Sequence, residues 1–173
     1  MKFAHLVLSA LLAAAASGTA TAQGATAAGA RLDPSTFHPV ELARSFPNDR
    51  VRDALGYDES GPVRGFDLDL DGDSRPERFV AGAPGRCSDH ACPFALLDGK
   101  SRREIGQFSG ILVVLDRRER GWRVVQTLGA ADEAGMSNVT TYTFERLQYQ
   151  PDDATLVDAA GRDAMLRGLR RLP

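Results

Sequence analysis

Oxygen-bearing side chains crowd one short stretch of this chain, Gly65-Phe66-Asp67-Leu68-Asp69-Leu70-Asp71-Gly72-Asp73-Ser74-Arg75-Pro76-Glu77. Aspartate occupies every second position from Asp67 to Asp73, and Glu77 follows. Two like charges about 4 Å apart repel by about 1 kcal/mol even in bulk water. A tight loop carrying five of them therefore needs a cation or must stay open. Calcium suits such a loop, because it is a hard ion that takes six to eight oxygens and accepts carboxylates wrapped around one point. The plain alternative is a solvated acidic loop that holds nothing.

Two registers are open. In one, Asp67, Asp69 and Asp71 are ligands one, three and five, and Gly72 makes the sharp turn at six. In the other, Asp69, Asp71 and Asp73 take those places, the Arg75 carbonyl is seventh and Glu77 ninth. Neither register has Glu at the twelfth place, where Arg78 or Val80 stands. The flanks also read as strands, so a helix-loop-helix calcium hand is disfavoured.

The run from Asp69 to Glu77, followed by Arg78-Phe79-Val80, resembles the calcium-binding loop of FG-GAP (integrin-alpha-like) repeats, D-x-[DN]-x-D-G-x-x-[DE]. The resemblance implies the second register: Asp69, Asp71, Asp73 and Glu77 as side-chain ligands, with the Arg75 carbonyl. The chain departs from that pattern at Ser74, where the repeat usually has glycine. The likeness covers a single segment, and a β-propeller needs at least four blades of four strands. The wider layout is similar to small exported bacterial proteins from which no activity carries over.

The mature chain has two cysteines, Cys87 and Cys92. The spacing predicts a disulfide across a small loop, worth about 2 kcal/mol on the chain-entropy model. Competing readings are a zinc site recruiting Cys87, His90 and Cys92 with Asp89 nearby, and a redox pair. The zinc reading lacks a second Cys/His pair, and the redox pair has the wrong spacing.

Where the protein works is read from its first residues. Lys2, the apolar run Leu6–Ala16 and the small-residue stretch ending Ala20-Thr21-Ala22 have the layout of a secretory signal peptide, residues 1–22. The apolar run is shorter than the ~20 residues a membrane span requires. Cleavage near Ala22 predicts a periplasmic or secreted protein with no membrane span left. Residues 23–35 read as a flexible leader, and residues 36–173 as a single domain.

Catalytic signatures are sparse. Only His38 and His90 remain beyond the leader. No Gly-x-Ser-x-Gly elbow, His-Glu-x-x-His helix or phosphate-binding glycine loop is present. A net charge of −2 argues against general nucleic-acid binding. Trp122, Tyr142, Phe144 and Tyr149 suit sheet packing or a binding face. Arg117, Arg118 and Arg120 suit a charged turn.

The elements that must hold the loop are predicted as α+β. Val40, Leu42, Ala43 and Phe46, then Val51, Ala54 and Leu55, have helical spacing. Pro47 divides them into two short helices, with Asn48 capping the second and Gly56 ending it. Strands are expected at Val63–Leu70, Arg78–Ala81, Pro93–Leu97, Ile111–Leu115, Trp122–Leu128 and 139–144, with a short one at Leu147–Tyr149. That makes a mainly antiparallel sheet of five to seven strands. A helix across Leu156–Leu169, weakened at Gly161, closes the chain. The expected function is a calcium-stabilised exported binding module, an inhibitor or immunity-type partner of an envelope protein or toxin. The rival is a small secreted hydrolase propped by structural calcium.

Overall fold

β-Branched and aromatic residues recur in short runs after Val63, and those runs are extended and paired as strands. The computed structural model describes residues 28–43, 45–58, 61–88 and 91–172. Their elements are β1 (Gly29–Leu32), β2 (His38–Val40), α1 (Phe46–Leu55), β3 (Val63–Leu68), β4 (Glu77–Ala81), β5 (Cys92–Leu97), β6 (Glu104–Glu119), β7 (Trp122–Ala131), β8 (Ser137–Glu145), β9 (Gln148–Val157), α2 (Ala159–Arg167) and β10 (Arg170–Leu172). The expected signal peptide, residues 1–22, lies outside the described residues. No described helix is long and apolar enough to cross a membrane.

Strands β2 to β9 pair in chain order, each antiparallel to the next. β1 pairs antiparallel with β6 and parallel with β10. β6 joins two half-sheets: Glu104–Gly110 pair with β5, and Ile111–Glu119 pair with β7. The changeover falls at Gly110, where φ is 122° and a Cβ would lie 2.6 Å from the Leu128 carbonyl oxygen. Only glycine fits that backbone.

Inward side chains from both halves meet in one core, including Leu70, Phe79, Phe94, Leu96, Phe108, Leu112, Val125 and Tyr149. Full burial of each such side chain contributes about 1.5–3 kcal/mol. The outer faces are covered separately. α1 sets Val51 and Leu55 on Val63, Val80, Ala95 and Leu97. α2 sets Met165 and Leu166 on Ile111, Leu128 and Val139. The result is a mainly antiparallel sheet with two helices.

Five expectations are corrected. One N-terminal helix forms, not two. Pro39 holds the preceding residue out of the helical region, and Val40 and Leu42 alternate into one cluster from extended chain. β2 lies at the end of the strand order, where a proline without an N–H is tolerated. Pro47 opens α1 in its first turn, a position where its missing N–H is harmless. Asn48 therefore does not cap: Ser45 is the N-cap, and the Asn48 side chain donates to the Ala43 carbonyl at 2.6 Å. Gly56 does end the helix, in the left-handed conformation.

The leader reading of residues 23–35 fails from Gly29 onward. β1 is buried at Ala30 and Leu32, and Asp33 caps a 3-10 turn at Pro34–Thr36. Among the described residues the strands number ten, because β1, β2 and β10 are short pieces made by pairing, and β9 runs on through Val157. β9 ends the strand order opposite β2, so its outer residues stay polar and carry little strand signal. The closing helix accordingly starts at Ala159, with Asp158 accepting from the Gly161 N–H at 2.7 Å.

Candidate metal centre

The acidic loop connects β3 to β4, and a cross-strand ion pair clamps its neck. Asp67 and Arg78 are register partners. Arg78 Nε and Nη2 donate to the two Asp67 carboxylate oxygens, each at 2.7 Å. This fork holds the Asp67 carboxyl below the usual carboxylate range. With both oxygens committed to Arg78, Asp67 stands apart from the loop's other carboxylates.

Beyond the neck, alternate aspartates fold the loop back on itself. Asp69 accepts from the Gly72 N–H at 2.6 Å and the Ser74 N–H at 3.2 Å. Asp71 accepts from the Asp73 N–H at 2.9 Å, and Asp73 from the Arg75 N–H at 2.7 Å. These side chains mimic backbone turns, which is what short acidic side chains do in loops. Ser74 sits at φ 66°, the left-handed region that glycine enters freely.

Glu77 begins β4 and is 1% exposed. Its Oε2 accepts from the Leu70 N–H at 2.8 Å. Asp69, Asp71 and Glu77 each offer one oxygen, and these oxygens all lie within 4.8 Å of one another. Among the described residues this is the one such grouping of His, Cys, Asp and Glu. Asp73 lies outside it, exposed and turned to Arg75. The Arg75 carbonyl oxygen lies against Gly99, only 2.0 Å from where a Cβ on that residue would stand.

The electrostatics follow from position. Hydrogen bonding from the Gly72 N–H lowers the Asp69 pKa, helped by the Ser74 N–H and the charge of Arg118. Burial raises Asp71, and the charges of Asp73 and Asp69 add to it. Burial raises Glu77, and the Asp71 charge adds to it. One edge of the triad thus favours ionisation and the other resists it. A divalent cation held by all three would relieve that conflict, and an all-oxygen set suits a hard ion such as calcium or magnesium.

Sequence reasoning missed four supports. Arg118 Nη1 donates to the Leu70 carbonyl at 2.9 Å and the Gly121 carbonyl at 2.6 Å. The Arg123 N–H reaches the same Leu70 oxygen at 2.9 Å, so the turn joining β6 and β7 props the loop's base. Gly99, just past β5, admits the Arg75–Pro76 backbone. Tyr149, read only as an aromatic, donates its buried hydroxyl to the Arg123 carbonyl at 2.8 Å. Of the neighbouring arginines, Arg117 pairs with Glu119 at 3.0 Å and Arg120 with Glu145 at 2.9 Å. Nothing local distinguishes Arg118 from them in sequence.

Cys87 and Cys92 are joined by a disulfide, with Cα atoms 4.2 Å apart. Both sulfurs are thereby withdrawn from any zinc site; His90 and Asp89 lie outside the described residues. The bridge spans the end of the connection from β4 to β5. The aromatic side chains pack on one another: Trp122 stacks on Phe144 at 3.8 Å, and Tyr149 meets both edge-on. Tyr142 meets Phe108 edge-on at 5.0 Å.

Comparison with known proteins finds no matching family model, no matching curated protein and no matching solved structure.

Proposed function

We propose that this protein is an exported binding module whose acidic loop is locked by one structural calcium ion. The observation that carries the reading is the convergence of Asp69, Asp71 and Glu77 on one point. Three carboxylates at that spacing, one of them buried, repel one another unless a proton or a cation neutralises them. Asp69, Asp71 and Glu77 are three of the ligands that the second register names. Asp73 and the Arg75 carbonyl would complete it by turning from the Arg75 N–H and from Gly99. A calcium ion there would neutralise the loop and hold β3 and β4 in one geometry.

Two further features support work outside the cytoplasm. The first 22 residues have a signal-peptide layout, and a disulfide joins Cys87 to Cys92. Disulfides persist in oxidising compartments. The partner in this reading is a protein or envelope component, engaged in the manner of an inhibitor or immunity protein. The test is capture from an envelope extract, with calcium and with chelator. The expected result is a defined partner retained in calcium and lost in chelator or with Asp71→Ala. Turnover of an ester, peptide or glycan substrate by the pure protein, with no partner captured, overturns binding in favour of a hydrolase.

A further inference from the structure

Arginines gather at a second place, remote in sequence from the acidic loop. The parallel pairing of β1 with β10 sets Arg31 directly opposite Arg171. Like charges opposite one another on adjacent strands repel. Arg64 joins them from β3, its Nη2 donating to the Pro34 carbonyl. The three line a cavity of about 550 Å³, together with Asp33, Ser35 and Ser88. A neighbouring cavity of about 290 Å³ shares Arg31 and Arg171 and adds Arg167 and one carboxylate, Asp163.

Counter-charge is short. Asp33 is the one carboxylate on the larger cavity's wall, and its Oδ1 already accepts from the Ser35 N–H and hydroxyl at 3.0 and 2.6 Å. Among the described residues none of the three arginines forms an ion pair, whereas Arg170, one residue from Arg171, pairs with Asp116 at 3.2 Å. Arg31 Nε is buried without an acceptor among the described residues, as are Arg52 Nε and Arg123 Nε elsewhere. A buried donor without an acceptor is destabilising, and native structures rarely leave one so.

We propose that this cavity binds a small organic phosphate, its phosphoryl group held by Arg31, Arg64 and Arg171. Guanidinium forks match phosphoryl oxygens two at a time, and three of them suit a dianion better than a single carboxylate. The volume falls in the range of small-molecule sites and leaves room beside a phosphoryl group for an organic part. The phosphoryl group can belong to a soluble ester or to a lipid headgroup.

Calorimetry with glycerol 3-phosphate, and flotation with vesicles containing phosphatidic acid, separate the two sources. Both are run on the purified chain in chelator, so that the acidic loop plays no part. Binding of the ester, or of vesicles alone, is expected, weakened about tenfold or more by Arg171→Gln, a loss of one charge-assisted contact. Arg64→Lys, which keeps charge but loses the fork, is expected to weaken binding less. Arg170→Gln is the control and is expected to leave it unchanged. Circular dichroism confirms that each variant is folded. Failure of both probes to bind, or equal weakening by Arg170→Gln and Arg171→Gln, overturns the proposal.

Discussion

Two consecutive connections in this sheet are held in different ways. The one between β4 and β5 carries a covalent bridge, Cys87–Cys92. The one between β3 and β4 carries no covalent closure and gathers Asp69, Asp71 and Glu77 within 4.8 Å. The bridge acts largely by restricting the unfolded chain, so its contribution is insensitive to ions. The acidic loop is a folded-state device, whose contribution changes sign with what neutralises it. A small sheet protein can thus combine one permanent fastening with one that responds to its surroundings.

The largest expected effect tests how tightly the loop is seated. In Gly99→Ala the new Cβ would lie 2.0 Å from the Arg75 carbonyl oxygen and 2.8 Å from its carbon. Both neighbours are backbone, so the strand or the loop must move. A loss of about 3 kcal/mol or more is expected in urea unfolding, with weakened calcium binding. Next is the bridge: Cys87→Ser with Cys92→Ser is expected to lose about 2 kcal/mol, equally in calcium and in chelator. A calcium-dependent loss there would merge the two fastenings into one.

Acidity separates them further. The Glu77 pKa is raised above 4.5 by burial, so the proton favours the folded state. In chelator, this group's contribution falls as pH rises from 4.5 through the raised value, and excess calcium is expected to remove that fall. Asp67 runs the other way, because Arg78 lowers its pKa below 3.8. Its contribution is complete above 3.8 and is lost only as pH drops through the lowered value. Thermal melts across pH with and without calcium measure both. The smallest effect is Ser74→Gly, which relieves a left-handed residue at φ 66°. A gain of about 0.5–1 kcal/mol is expected in calcium, read by urea unfolding.

What the residues disclose in sequence divides along similar lines. The acidic loop was legible because alternating carboxylates repel over short range, and that is a local property. The bridge and β3, β4, β5, β7 and β8 were legible for the same reason, each having a dense local pattern, whereas β6, which runs Glu104–Glu119, was legible only at Ile111–Leu115. β1, β2 and β10 were not, since three or four residues become a strand only by pairing with a distant one. Pro39 is a local signal against a helix just before Val40, and it outweighs the helical spacing of the apolar residues that follow. Arg118 reaches the Leu70 carbonyl across a separation of 48 residues, and no local rule anticipates that. Glu77 was named as a ligand, but its burial, which gives the site its tension, emerges only when Leu70 and β4 are packed in place.

Calcium titration of the pure protein, followed by calorimetry and by emission of the sole tryptophan, Trp122, tests the central claim most directly. Trp122 adjoins Arg123, whose N–H holds the Leu70 carbonyl at the loop's base, so the ring is placed to report the change. The account predicts one saturable site per chain. It also predicts a melting temperature that rises with calcium, by about 2.7 kcal/mol of added stability at a hundredfold excess over Kd. Both responses are absent in Asp71→Asn. A wild-type protein that gives no heat, no change in emission and the same melting temperature in calcium and in chelator contradicts it.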